Sequence, residues 1–213
     1  MEKREDQILR AAVGIFGSRG YERTSLQDIA DVVGVTKPAL YYYFRDKDTL
    51  YARVVVEALR QLVDYVEARV SRHSEPEDRL REFLMSAATF LGEHRETWLL
   101  ASGGFWSAAT GDYREEALRL RDHFEGMLRD ALAQAISAGA LRSVDVALAG
   151  RLLLSGLNQM HRWHSPDGPL SVVEVADRYL DFVLNGLRAE RPAAVSEPPA
   201  GARRARRARS PVK

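Results

Sequence analysis

Apolar residues recur every three or four positions along most of the chain, with no stretch of strict alternation, and glycine and proline fall mainly in the breaks between these runs. A helix turns once per 3.6 residues and a strand alternates with period two, so the spacing predicts an all-α protein. Ile8, Ala12, Ile15 and Phe16 form a first stripe that stops at Gly20, a residue suited to the left-handed turn closing a helix. Leu26, Ile29, Ala30 and Val33 form a second. Two overlapping patterns precede it, Thr24 with Gln27 and Ser25 with Asp28, and either can be a capping box. Gly34 breaks this helix, and Thr36 is expected to cap a short third one with Pro38 in its first turn, where a missing N–H costs nothing.

Longer helices are predicted beyond Asp46: Asp48 to about His73, Arg79 to about His94, Tyr113 to Ala138 closed at Gly139, Val144 to His164, and Ser171 to Arg188. A shorter element around Trp98 to Trp106 is weakened by Gly103 and Gly104. After Glu190 proline, alanine and arginine replace the periodic pattern, and residues 191–213 are expected to be disordered. The division that follows is a head over residues 1–47, a larger domain over 48–190, and this tail.

Charge and composition limit what such a chain can do. Lys and Arg number 31 against 30 for Asp and Glu, so bulk charge does not drive binding to a polyanion. The tail holds seven basic residues and one acid, a net +6, which leaves −5 for the rest. Cysteine is absent, which excludes disulfides, thiolate metal sites and a cysteine nucleophile. No apolar run is long enough for a bilayer span, and Met1 to Arg10 is charged where a signal peptide would be apolar. A cytoplasmic setting is expected.

Two short helices separated by Gly34, Val35 and Thr36 and packed on a preceding helix are the pattern of a helix-turn-helix. Leu40 and Phe44, spaced i, i+4, can face the second helix with Val35, while Lys37 and Tyr41 share another side with Pro38 and Tyr42 nearby. The free side offers a cation at Lys37 and phenols at Tyr41, Tyr42 and Tyr43 to bases, sugars and phosphates of a major groove. Lys47 is placed to grip the DNA backbone, and the amides at the helix starts near Thr24 and Thr36 are further phosphate donors. Ordinary packing of the tyrosines is the competing reading, but three consecutive side chains cannot all be buried on one side of a helix. Residues 1–50 hold eight basic and eight acidic side chains, so placement rather than potential carries the argument.

Ile8 to Val55 resembles the N-terminal domain of TetR-family transcriptional regulators. The resemblance rests on Phe-x-x-x-Gly-Tyr at Phe16 to Tyr21, on the Thr-Ser-Leu-x-x-Ile-Ala of the second helix, and on Leu-Tyr-x-x-Phe-x-x-Lys from Leu40 to Lys47. It implies double-stranded operator DNA as partner and Thr24, Thr36, Lys37, Pro38, Tyr41, Tyr43 and Lys47 as contacts. Tyr42 joins them from its place beside Lys37 and Tyr41, not from the resemblance.

The larger domain exceeds what one DNA-reading head requires, so it is expected to dimerise, to bind a ligand, or both. Val146, Gly150, Leu153, Leu157, Met160 and His164 step at helical spacing, as do Val172, Val175, Ala176, Tyr179, Phe182, Val183 and Gly186. These stripes suggest a homodimer through residues 144–164 and 171–188, with Gly150, Gly156 and Gly186 allowing close approach; the competing reading places them in the chain's own core. A two-fold dimer implies a palindromic operator.

Phe90, Trp98, Phe105, Trp106 and Phe124 are candidate lining of an apolar effector pocket. His161 to Ser171 resembles the Arg-Trp-Tyr-x-Pro-x-Gly-x-Leu-Ser/Thr junction of TetR-family regulators that sense acyl-CoA thioesters, with His164 where that group has Tyr. Arg162, Trp163 and Arg95 can supply cations and a flat surface for phosphates and adenine. A purely structural turn explains the same residues, with Ser171 capping the next helix, and a drug or aromatic acid is the alternative effector class. His161, His164 and Asp167 lack a fourth ligand for a metal, no catalytic motif appears, and neither enzymatic activity nor a cofactor is expected.

Overall fold

The structure is a computed structural model that describes residues 4–102 and 112–185. Phe105, Trp106, the glycines at 103, 104 and 186, and the tail from 191 lie outside the described residues. Among those described there are nine helices and no strand: α1 (Arg4–Arg19), α2 (Leu26–Val33), α3 (Lys37–Tyr43), α4 (Lys47–Val70), α5 (Pro76–Glu93), α6 (Arg95–Ser102), α7 (Asp112–Ser137), α8 (Val146–Trp163) and α9 (Val172–Asn185).

Local chemistry sets the breaks. Gly20, Gly34 and Gly139 take φ of 79°, 72° and 75°, the left-handed conformation that ends α1, α2 and α7. Of the two capping patterns before α2 the Ser25 box forms: the Asp28 amide donates to Ser25 Oγ at 3.2 Å and the Ser25 amide to the Asp28 carboxylate at 2.7 Å. Asp46 caps α4 by accepting from the Thr49 amide at 2.7 Å, and Ser171 with Glu174 forms a second reciprocal box at α9.

Helix α4 joins the two parts of the molecule. Its first turns, with Leu50 and Tyr51 buried, pack on α1, and Val54 to Val70 runs into the core with α5, α6 and α7. Helix α5 lies between α4, α7 and α9, and α8 packs on α7 and α9. Helix α6 also rests on α1 of the head. The approach is close at Gly17, where a Cβ would stand 2.6 Å from Glu96 Cβ.

The stripes expected to pair with a second copy are largely interior. Leu153, Leu157, Met160, Val175 and Ala176 are buried within the protomer. Gly156 meets the Tyr179 ring of α9 in the same chain, a Cβ there lying 2.8 Å from the ring, whereas Gly150 has ordinary clearances of 3.7 Å and more. Phe182 of the expected set is exposed, and within the same segments so are Val144, Leu148 and Leu152, which the stripes did not include. Helix α8 has two apolar faces, and periodicity picked the one that its own core claims.

Candidate functional site

Seven residues are too few for an independently stable helix, so α3 is held by what it buries. Leu40 and Phe44 are sealed against the head, each contributing about 1.5–3 kcal/mol of burial. Thr36 caps the helix by accepting from the Ala39 amide at 3.3 Å, and Pro38 occupies the first turn. With Leu40 and Phe44 turned inward, Thr36, Lys37, Pro38 and the three tyrosines are all exposed, Tyr41 at 46 %, Tyr42 at 85 % and Tyr43 at 40 %. The Tyr42 and Tyr43 rings meet edge to face at 5.3 Å, and the Lys37 ammonium lies 5.9 Å from the Tyr41 ring centroid. The face therefore presents one cation and three phenolic hydroxyls outside the fold.

Lys47 flanks this face from the start of α4, its ammonium 3.9 Å from the centroid of the Tyr21 ring. That ring packs edge-on against Tyr51 at 4.9 Å and its hydroxyl donates to Asp48. Burial, and then the hydrogen bond to the Asp48 carboxylate, push the Tyr21 pKa up to about 12, so the phenol remains a donor at neutral pH and its ring a fixed cation–π support. The Tyr21 support was absent from the expected contacts, although its place beside Lys47 is implied by Phe-x-x-x-Gly-Tyr once α1 and α4 pack together.

Thr24 is the exception. It is 2 % exposed and its hydroxyl donates to the Gly20 carbonyl at 2.8 Å, so the side chain locks the α1–α2 turn and is not presented to a partner. Two candidate caps stood side by side at Thr24 and Ser25, and the one facing inward became the turn lock.

In the larger domain a cavity of about 90 Å³ lies between α4, α6, α7 and α8. Trp98 and Phe124 line it, together with Leu59, Leu62, Leu154 and Asn158, which the sequence reading missed. Arg121 and Glu125, also in the wall, form an i, i+4 pair at 3.7 Å. Phe90 is buried elsewhere, between the rings of Tyr65 at 5.3 Å and His94 at 4.8 Å.

A wider groove of about 350 Å³ lies beside the end of α8, walled by Gly92, Arg95, Met160, His161, His164 and Val172 among others. Arg95 reaches across to donate to the His161 carbonyl at 2.7 Å, and the His164 ring meets the Leu170 carbonyl at 2.8 Å. Arg162 and Trp163 are exposed at the last turn of α8, the indole meeting only the His164 ring among aromatic neighbours described. No cluster of three metal-ligating side chains occurs, and no helix is long and apolar enough to cross a membrane, among the described residues.

A short helix standing out from a three-helix head, joined by one long helix to a bundle with a cavity between its helices, defines a helix-turn-helix DNA-binding protein with a regulatory domain. Residues 8–54 match the family of bacterial regulatory proteins of the tetR type, and residues 73–187 match the tetracyclin repressor-like C-terminal domain. The chain belongs to the TetR family, a family of DNA-binding transcriptional regulators and not of enzymes. It is 29 % identical to the HTH-type transcriptional repressor KstR2 of Mycolicibacterium smegmatis, over 86 % of this chain and 90 % of that one. The structure of the TetR-family regulator PfmR from Thermus thermophilus superposes with a TM-score of 0.76 at 38 % identity, covering 85 % of this chain and 99 % of that one. AibR, solved with isovaleryl coenzyme A and operator DNA, shares the fold with a TM-score of 0.78 at 24 % identity, over 85 % of this chain and 98 % of that one.

Proposed function

We propose that the chain is a homodimeric repressor that leaves a palindromic operator when a small effector, an acyl-CoA thioester, occupies its larger domain. The observation that carries the DNA half is the outward face of α3, anchored by Leu40 and Phe44 and offering Lys37, Tyr41, Tyr42 and Tyr43. These residues, with Thr36, Pro38 and Lys47, contact the operator, with residues 1–47 as the reading head and 48–190 as the regulatory domain. Dimerisation uses the exposed apolar face of α8 and α9 at Leu148, Leu152 and Phe182, and two-fold symmetry then sets half-sites about 10 bp apart or a multiple of that. Repression follows the likeness to KstR2, and action in the cytoplasm follows from a DNA target.

The thioester reading is supported by the 161–171 junction, by the groove beside it with Arg95 at its wall, and by the AibR complex at the level of fold. Pro166, Gly168 and the Ser171–Glu174 box also make this junction a sound structural turn, so the ligand must be tested directly. The experiment is fluorescence anisotropy on operator fragments selected by the protein, with acyl-CoA thioesters titrated into the complex. Release at thioester concentrations that leave unrelated DNA binding unchanged supports the reading. Release by an aromatic acid or a cationic drug, and not by thioesters, replaces the effector class.

A further inference from the structure

Lys47 stands between two acids in the sequence, Asp46 and Asp48, and pairs with neither. Asp46 is taken up by the start of α4, accepting from the Thr49 amide at 2.7 Å, the Thr49 hydroxyl at 2.6 Å and Arg45 Nε at 3.0 Å. Asp48 accepts from the Tyr21 hydroxyl. Among the described residues the Lys47 ammonium forms no ion pair, and it rests 3.9 Å from the centroid of the Tyr21 ring. One tyrosine thus holds the cation on its face and the neighbouring carboxylate at its hydroxyl.

The two ways of holding an amine differ in what they leave behind. A carboxylate cancels the charge of an ammonium, whereas an aromatic face attracts the cation and leaves its full charge to a third party. The ring is itself fixed, packing edge-on against Tyr51 at 4.9 Å and stacking with Phe16 at 6.2 Å, both buried in the head. A lysine stem is flexible and loses freedom on binding, so an ammonium already seated on a fixed ring costs less to order. Without the phenol, the Asp48 carboxylate is free to pair with Lys47 in its place.

We propose that Tyr21 is a positioning residue for DNA binding: its ring presents the Lys47 ammonium, charge uncancelled, to a backbone phosphate, and its hydroxyl keeps the Asp48 carboxylate from taking that phosphate's place. The inference rests on the reading of Lys47 as a phosphate contact. The test measures the affinity of the full chain for a duplex that the protein selects from a random pool, over a range of salt. Each phosphate neutralised changes log affinity by about 0.9 per decade of salt, so Lys47→Ala should lower the slope by about 0.9 per head and the affinity by about eightfold per head at about 0.1 M. A Lys47→Ala protein with the wild-type slope overturns the phosphate reading and this inference with it.

Tyr21→Phe keeps the ring, frees Asp48, and is expected to fall between the wild type and Lys47→Ala in slope and affinity. Adding Asp48→Asn is expected to restore both to the values of Asp48→Asn alone, a rescue that a general loosening of the head would not show. Tyr21→Leu removes the ring as well, and in that background Lys47→Ala is expected to add no further loss of slope. Three results overturn the inference and leave the phosphate reading in place: a Tyr21→Phe slope equal to the wild type, a loss that Asp48→Asn does not repair, or a Lys47→Ala loss as large beside Tyr21→Leu as in the wild type. Where Tyr21→Leu fails to fold, the Tyr21→Phe results decide alone.

Discussion

Helix α1 belongs to the head and α6 to the larger domain, and the two are in close contact at Gly17. A Cβ there would lie 2.6 Å from Glu96 Cβ and 2.9 Å from both its Cα and its carbonyl oxygen. Two of these three are backbone atoms, so no side-chain rotation relieves the clash, and α6 must retreat by about 0.8 Å to restore an ordinary 3.4 Å contact. One helical turn earlier, Gly14 has nothing within 4 Å of an added Cβ. Gly14→Ala and Gly17→Ala therefore make the same chemical change in the same helix with opposite expected signs. Each gains about 0.5–1 kcal/mol from replacing glycine in a helix interior. Only Gly17→Ala pays the overpacking cost of about 1–3 kcal/mol. Thermal unfolding should place Gly14→Ala above the wild type and Gly17→Ala below Gly14→Ala, by about 2–4 °C per kcal/mol for a chain of this size. Because α6 also carries Trp98, Gly17→Ala should change both operator affinity and the effector concentration needed for release, while Gly14→Ala leaves both as in the wild type. A Gly17→Ala protein as stable as Gly14→Ala and unaltered in its response would refute the close contact and its part in signalling together.

Lys37→Ala should weaken operator binding by about 1–3 kcal/mol if it reads a base; if it holds a phosphate, affinity should fall across all sequences and the slope of log affinity against log salt should drop by about one. Leu152→Glu puts a charge on the exposed apolar face of α8 and should yield monomers in sedimentation, with the helical content kept. Asp46→Ala removes the cap of α4 and should cost about 1 kcal/mol, read as a lower Tm. Hydrogen bonds from Ser25, Thr49 and Ser171 hold the pKa values of Asp28, Asp46 and Glu174 below their ordinary range. Their folded pKa values lie under the unfolded ones, so their stabilisation is present above about pH 4 and lost as pH falls through the folded values. The acid limb of a Tm–pH profile should accordingly be shallower in Asp46→Ala.

The helices were legible because their periodicity and caps are local: Gly20, Gly34 and Gly139 end helices where their position in the sequence implied, and Leu40 with Phe44 had only one side of a seven-residue helix to bury. The choices that went the other way were choices between two equally good local solutions. Thr24 and Ser25 each fitted a cap, and only the packing of α1 against α2 decides which hydroxyl faces inward. On α8, Leu153 and Leu157 satisfy the same periodicity as Leu148 and Leu152, and only the way the whole helix settles on the rest of the bundle decides which pair is covered. Arg121, Glu125 and Asn158 come together from two helices, and no spacing within either one announces the meeting.

Signalling needs a physical route from the cavity to α3, and the helices provide two. Helix α4 places Leu50 and Tyr51 in the packing with the head and Leu59 and Leu62 in the cavity wall, about 18 Å apart from Leu50 to Leu62 along one continuous helix. Helix α6 places Glu96 against α1 and Trp98 in the same wall two residues later. A ligand seated in this cavity would touch two elements that both bear on the head, and any preference it had for one spacing of α4 and α6 would be a preference for one setting of the recognition helices. A coupling of about 1–3 kcal/mol is enough to shift operator occupancy usefully, and linkage makes it reciprocal: the operator must weaken effector binding by the factor by which the effector weakens operator binding. Equal effector affinity for free and DNA-bound protein would break that equality, and with it the claim that either helix carries the signal.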